Sequence, residues 1–333
     1  MSGAGRAGVE VGAGRARVEV GVGGRCKAGG VAGQLMLLDS PALWYRAFHG
    51  VPDSVRSPQG EPVNAVRGFL DLVARVVREN KPARLVATVD LDWRPAFRVA
   101  AVPSYKLHRT VEGGAEAEPP ELGAQVEVIL EVLAALGVPV SGLDGYEADD
   151  VIGTLATRET GAVDIVTGDR DLLQLVRDAG PVRVLYAVEK MRPYDERAVS
   201  DKHGIPGTGY ADFAVLRGDP SDGLPGVKGV GEKTAAALVT RFGSIEGILA
   251  ALDSGSDDGF PAGARAKLEA AREYLAVAPA VSRVVCDLPL PVYDDALPTT
   301  PRDPSELVRL SDRWGLDSAL ERFLQALETA RAE

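Results

Sequence analysis

Acidic residues recur where apolar runs end, and that spacing is the first feature in the chain able to do chemistry. Asp39 follows Leu35-Met-Leu-Leu38, Asp90 follows Val86-Ala-Thr-Val89, and Asp169 follows Ile165-Val-Thr-Gly168. Glu147, Asp149 and Asp150 open a helical segment after a further run. Asp171 comes directly after Arg170, and Asp219-Pro-Ser-Asp222 follows a segment ending at Arg217. One such acid is ordinary, because Asp or Glu in a first helical turn satisfies free N–H groups and suits the helix dipole. Convergence of several is not, since two carboxylates about 4 Å apart repel by roughly 4 kcal/mol at an effective dielectric of 20. A cluster therefore requires something positive among its members. The candidate donors are all oxygen, with no nearby His or Cys pair, which selects a hard ion such as Mg²⁺ or Mn²⁺ over zinc. His49, His108 and His203 are scattered and read as surface or satisfied side chains, and no Ser-His or Cys-His pair suggests a covalent intermediate.

The elements that would position these acids follow from periodicity. Short apolar runs at Leu35–Leu38, Leu85–Val89, Val138–Ser141, Val163–Thr167 and Val182–Tyr186 alternate with amphipathic segments, the pattern of a mainly parallel sheet covered by helices. Glu61–Asn80 carries Val63, Val66, Leu70, Val73 and Val77 on one stripe, and Leu122–Leu136 does the same with Val126, Ile129, Leu130 and Leu133. Beyond Tyr194 helices dominate, at Ala211–Arg217, Lys233–Phe242, Ala262–Leu275, Pro304–Trp314 and Ser318–Arg331. The fold class predicted is α/β, with a catalytic domain over 34–197, a boundary near Ala198 and a helical region over 198–333. In an open α/β sheet ligands sit beyond the carboxyl ends of the strands, where the acids are.

Residues 1–33 differ in kind: Gly, Ala, Val and Arg with a nine-residue echo, Gly3–Val11 followed by Gly12–Val20. So few large apolar side chains cannot offset the entropy of ordering, and the stretch is read as a flexible tail. It holds five basic and two acidic residues, which places −14 of the net −11 charge on the remainder. Nine of those acids belong to the proposed cluster, so overall acidity argues only weakly against a nucleic-acid partner. No apolar run is long enough for a bilayer and the N-terminus lacks a secretory pattern, from which a cytoplasmic protein without membrane partners is expected. Cys26 and Cys286 stand far apart, outside any metal or redox pairing.

Between Arg94 and Arg109 the chain carries Arg94, Arg98, Lys106 and Arg109 with no acid, interleaved with Phe97 and Tyr105. Cations among aromatics suit a displaced single strand. The stretch Gly226-Val-Lys-Gly-Val-Gly-Glu-Lys-Thr234 is glycine-rich and opens a helix, so its N–H groups can approach a phosphate closely. Taken in order, Asp39 with Tyr45-Arg46, Asp90, Phe97-Arg98, Tyr105-Lys106, Arg109, Gly145-Tyr-Glu-Ala-Asp-Asp150, Thr167-Gly-Asp-Arg-Asp-Leu172 and Gly218–Ala235 resemble the bacterial and phage 5′-nucleases, or flap endonucleases. That group includes the N-terminal exonuclease domain of family-A DNA polymerases. The resemblance runs from Leu35 to about Leu327, departing at Ser40, where many relatives have Gly, and at Gly223, where Asn is common.

The resemblance implies a PIN-like catalytic domain with an arch over about 94–122, and a helix-hairpin-helix-like element in the C-terminal region. It assigns Asp39, Asp90, Glu147 and Asp149 to a first metal with Asp150 close by, and Asp169, Asp171, Asp219 and Asp222 to a second. Two-metal hydrolysis of DNA at 5′ flaps, nicks and 5′ ends would follow, with RNA–DNA hybrid a further candidate substrate, in replication and repair. Lys106, Arg109 and then Arg98 are expected to steer the scissile phosphate. Arg46, Tyr105, Gly226, Lys228, Gly229, Gly231, Lys233 and Thr234 are expected to hold DNA, with K⁺ often bound at that loop in the family. A monomer is expected, and because no polymerase region follows Glu333 the nuclease is expected to stand alone. Three alternatives are weaker. A silent DNA clamp would not need all nine acids, a PIN-like ribonuclease is usually smaller and lacks the glycine-rich loop, and a Rossmann enzyme needs a Gly-rich turn where Asp39-Ser-Pro-Ala42 stands.

Overall fold

The computed structural model describes residues 8–11, 16–19, 33–111, 115–292 and 294–331. Within the echoed N-terminal sequence, β1 (Gly8–Val11) pairs antiparallel with β2 (Ala16–Glu19), setting Val9 opposite Val18. Alternation of Val with charged residues in these two segments suits strand pairing. The expectation of a flexible tail otherwise falls on residues outside those described.

The main sheet comprises β3 (Leu35–Asp39), β4 (Arg84–Thr88), β5 (Val140–Ser141), β6 (Val163–Thr167), β7 (Val182–Tyr186) and β8 (Arg192–Tyr194). Its order is β5-β4-β3-β6-β7-β8, all parallel except β8, which runs antiparallel to β7. All five expected strands are present. The sixth carries Pro193, which a sheet tolerates at an edge, and it has no alternation that the sequence could reveal.

Alternate residues of each strand enter different cores, as a period of two requires. Met36, Leu38, Leu85, Ala87 and Val166 meet α1 (Ser40–Gly50), α2 (Asn64–Asn80) and, beyond the short α3 (Ala96–Ala101), α4 (Pro120–Leu136). Leu35, Leu37, Val86, Val163, Ile165 and Val184 face α5 (Ala148–Arg158) and, past α6 (Glu196–His203), the helices α7 (Tyr210–Arg217), α8 (Glu232–Phe242), α9 (Ile245–Asp253), α10 (Ala264–Ala270), α11 (Arg272–Val277) and α12 (Pro279–Ser282). Strands buried on both faces read as continuous apolar runs, which is why they were visible.

The last two helices, α13 (Pro304–Trp314) and α14 (Asp317–Arg331), return to the opposite face. They pack on α4 and α2, burying Leu310, Leu320 and Phe323 in the first core. The helical region taken as one unit over 198–333 is therefore divided between the two faces of the sheet. The single helix expected over Ala262–Leu275 is also two, interrupted at Ala271, whose ψ of 11° leaves the helical range. Among the described residues no single helix is long and apolar enough to cross a membrane.

Candidate active site

The chain enters the sheet at β3, builds outward through β4 and β5, then crosses back to β6 on the other side of β3. The carboxyl ends of β3 and β6 therefore flank the point where strand order reverses, and α/β sheets open a crevice there. Asp39 ends β3 and caps α1, accepting a bond from the Ala42 amide at 3.4 Å. The Thr167 hydroxyl, at the end of β6, donates to its other oxygen. Asp90, beyond β4, accepts from the Ala148 amide at 2.7 Å, and Glu147 caps α5 with Asp149 in the first turn. Two helix N-termini thus point their positive ends toward these acids, which partly offsets the charge.

The offset is incomplete. Burial raises Asp39 to about 6, with Asp169 pushing the same way against the Thr167 bond. Burial raises Asp90 to about 7, with repulsion from Glu147 and Asp39 added and the Lys106 charge opposing. Asp149 is held well above the usual carboxylate range by burial and then by Asp39, Asp169 and Glu147. Acids from the ends of β3, β4 and β6 and from the start of α5 are thereby within reach of one another's charge.

The second group joins the first through Asp169, whose carboxylate accepts from the Asp171 amide at 2.8 Å. Asp171 is raised by burial and by repulsion from Asp169, Asp222 and Asp219. Asp222 is raised to about 6 by burial, with Lys106 opposing and Asp169 and Glu147 adding to it. Asp219 is more committed, accepting from the Ser221 amide at 2.9 Å, the Ser221 hydroxyl and Arg217 at 3.1 Å. All donors are carboxylate oxygens, which suits a hard divalent ion in kind. As the side chains stand, no three acidic, His or Cys residues among those described close on a common point. The chain's own cations explain part of this, because Lys106 and Arg98 are set against Glu147.

The segment after α3 docks on the turn that carries Asp219 and Asp222. The Lys106 amide donates to the Asp222 carbonyl at 3.0 Å, the Ser104 hydroxyl to the Gly223 carbonyl at 2.8 Å, and Arg109 to the Ser221 carbonyl at 2.7 Å. Gly223 makes this approach feasible: its φ is +72° and a Cβ would stand 2.2 Å from the Ser104 carbonyl oxygen. Glycine at position 223 is thus a requirement of this docking. Lys106 itself adopts φ 47° and reaches the Glu147 carboxylate, while Arg109 lies 3.7 Å from Asp222. Beyond it, Thr110 pairs antiparallel with Glu116 in an isolated bridge.

Three of the residues expected to act here are occupied by internal partners. Arg98 is 2% exposed and donates to Glu147 at 2.6 Å and to both oxygens of Asp150, so its guanidinium is taken up by carboxylates. Asp150 is wholly buried and also accepts from the Val285 amide and the Glu147 amide, so its oxygens are taken up by internal donors beside Glu147. Tyr105 is 3% exposed and gives its hydroxyl to Glu147 at 2.7 Å, so its ring offers no surface to DNA. In each case desolvation forced a pairing that local sequence does not display.

Arg46 is exposed and lines a cleft of about 830 Å³ beside Asp169 and Asp219, together with Arg109. Tyr45, half exposed, and Arg170 line it too, and neither was singled out for a role. Arg170 stands inside the Asp169–Asp171 pair, a position that could have flagged it. Across the site, the turn between α7 and α8 exposes Lys228, Gly229 and Gly231, and the first turn of α8 exposes Lys233, with Thr234 half-buried. Gly226 is pressed against Gly218, where a Cβ would meet the Gly218 nitrogen at 2.5 Å, whereas Gly231 faces open space. The Gly229 carbonyl accepts from the Lys267 ammonium at 2.8 Å, so a cation bound to it would compete with that lysine.

This fold matches a known class. Residues 34–204 match the 5′-3′ exonuclease N-terminal resolvase-like domain, and residues 205–305 match the 5′-3′ exonuclease C-terminal SAM fold. The chain belongs to the 5′-3′ exonuclease family, and it is a nuclease. It is 55% identical over 300 residues to a 5′-3′ exonuclease of Streptomyces coelicolor, covering 88% of this chain and 99% of that one. To a 5′-3′ exonuclease of Mycobacterium tuberculosis it is 47% identical over 312 residues, covering 89% and 98%. The structure of the T5 D15 protein, co-crystallized with metal ions, superposes with a TM-score of 0.57 at 20% identity, over 90% of this chain and 100% of that one.

Proposed function

We propose that this nuclease hydrolyses DNA phosphodiester bonds near 5′ ends, at flaps and nicks, with two divalent ions, as a cytoplasmic monomer acting in replication and repair. The observation that supports the reading is that Asp169 adds its repulsion to the burial that raises Asp39, Asp149 and Asp222 above ordinary carboxylates. Such mutual repulsion makes sense for a site that receives cations. Asp39, Asp90, Glu147 and Asp149 would hold one ion, and Asp169, Asp171, Asp219 and Asp222 the other, with Mg²⁺ or Mn²⁺ fitting the all-oxygen donors. When bound, such ions lower the pKa of an attacking water and offset charge on the attacking and leaving oxygens.

The protein's own groups do the rest. Lys106 neutralises Glu147 in the resting site and, 13% exposed in its side chain, can exchange that carboxylate for a substrate phosphate. Arg109 stands at the rim, its guanidinium partly in solvent, placed to orient the same phosphate. Arg46 and Tyr45 flank the path into the cleft, and Lys228 and Lys233 would grip duplex backbone on the far side without reading its bases. The test is a 5′-labelled flap, a nicked duplex, a blunt duplex and single-stranded RNA, each incubated with Mg²⁺ and with EDTA. Cleavage of flap and nick in Mg²⁺ alone is expected. Preferential cutting of the RNA, or cutting in EDTA, would overturn the proposal.

A further inference from the structure

The buried Arg98 is satisfied in a way that ties the acids to the C-terminal helices. Its Nε donates to the Val281 carbonyl at 3.0 Å, immediately after the middle of α12, and one terminal nitrogen shares Glu147 and Asp150 at 2.6 and 2.8 Å. The other terminal nitrogen takes the second Asp150 oxygen at 2.6 Å. Asp150 in turn accepts from the Val285 amide at 2.8 Å, four residues further along the same strand of chain. Gln174 adds its own pair of bonds to the Ser282 carbonyl and the Val284 amide, and Thr154 bonds the Val285 carbonyl and the Leu288 amide. Close approach is built in, because a Cβ on Gly153 would meet the Val285 carbonyl oxygen at 2.9 Å.

We infer that Arg98 and Asp150 are a positioning pair that locks the Glu147 carboxylate to the 281–285 segment, so that the seating of the C-terminal helices sets the geometry of the acid crevice. This rests on Glu147 serving the metal site. Glu147 has three side-chain donors: Lys106, Tyr105 and Arg98. Lys106 is near solvent and can leave for a phosphate. Arg98, sealed from solvent, cannot, so it keeps Glu147 oriented once Lys106 has gone. A merely stabilising ion pair would not need this reach, since buried pairs are often replaceable by apolar groups without loss of stability. A planar guanidinium spreads its donors over a rigid fork, so it can take both Asp150 oxygens, Glu147 and a carbonyl in fixed directions, whereas an ammonium offers three donors on one compact centre.

The experiment compares R98Q, R98K, D150N and the apolar double variant R98L/D150L with the full-length wild type. On a 5′ flap, R98Q should lower kcat about 100-fold with KM little changed, and weaken Mn²⁺ binding in calorimetry about 10-fold, as loss of groups that orient metal ligands does. Flap affinity in EDTA should be unchanged. R98K should recover part of kcat, and D150N should speed hydrogen exchange at the Val285 amide. If R98Q instead weakens flap binding in EDTA and leaves Mn²⁺ affinity alone, Arg98 is a phosphate contact and the inference fails. It fails equally if folded R98L/D150L keeps wild-type kcat and Mn²⁺ affinity, or if D150N leaves the Val285 amide protected. Should the wild type not cut flaps at all, the nuclease reading falls, while Mn²⁺ affinity and Val285 exchange still decide the positioning role.

Discussion

The two surfaces proposed to meet DNA are built on opposite principles. In the crevice, Asp39, Asp171 and Asp222 are nearly out of solvent and each is repelled by Asp169, so charge is concentrated where it is most costly. Between α7 and the first turn of α8, Lys228 and Lys233 stand in water, the first on a loop whose glycines shape the backbone and the second at the start of the helix. The contrast teaches that chemistry and grip place different demands on charge: one needs a desolvated, over-determined cluster, the other a solvated contact that releases counterions.

The sharpest way to break that comparison is to neutralise one acid. Asp169→Asn should reduce single-turnover flap cleavage about 1,000-fold, since several kcal/mol of charge stabilisation translate into that factor. Flap binding in EDTA should stay the same or tighten, because a repelling charge has gone. Unchanged cleavage would remove Asp169 from the site.

Next comes the docking between the segment 104–109, proposed as the base of an arch, and the acidic turn. Gly223→Ala puts a Cβ against the Ser104 carbonyl at a positive φ, and should cost on the order of 1–3 kcal/mol of stability while displacing Lys106 and Arg109. Denaturant unfolding together with kcat would show it, and wild-type values in both would mean that the arch base is free to sit elsewhere.

A third effect is on stability against pH. In EDTA, Asp39 near 6, Asp90 near 7 and Asp222 near 6 all lie above their unfolded value of 3.8. The native state then holds more protons than the unfolded one between those values, so the stability these groups contribute is full below about 4 and is lost as pH rises toward 7. Melting temperature in EDTA should therefore carry a component that falls from pH 5 to pH 8. Added Mg²⁺ should oppose the fall, because ion binding competes with those protons. If D39N/D222N shows the same pH profile as the wild type, the acids are not the cause.

The smallest change belongs to the loop. Lys228→Ala and Lys233→Ala should each weaken flap binding roughly threefold to tenfold, lower the salt slope by about 1 and leave kcat alone. A drop in kcat with unchanged affinity would dissolve the distinction between the two surfaces.

Much of this protein is readable from local pattern. The strands at Leu35–Asp39, Arg84–Thr88 and Val163–Thr167 announce themselves because burial on both faces demands unbroken apolar runs, and the acids that follow them mark the crevice. Residue type alone confines the donors to carboxylates. What local sequence does not contain is the choice among the cations: Arg98, Lys106 and Arg109 look alike in a basic stretch, yet one is sealed, one half-sealed and one at the rim. That choice depends on the Val281 carbonyl, 183 residues away, and on the Val285 amide that claims Asp150. Likewise α13 and α14 carry an apolar stripe that any core would accept, and only the packed chain sends them to α4 and α2. Periodicity reports which side of a residue is buried, and it cannot report against what, because the partner is supplied by distant chain.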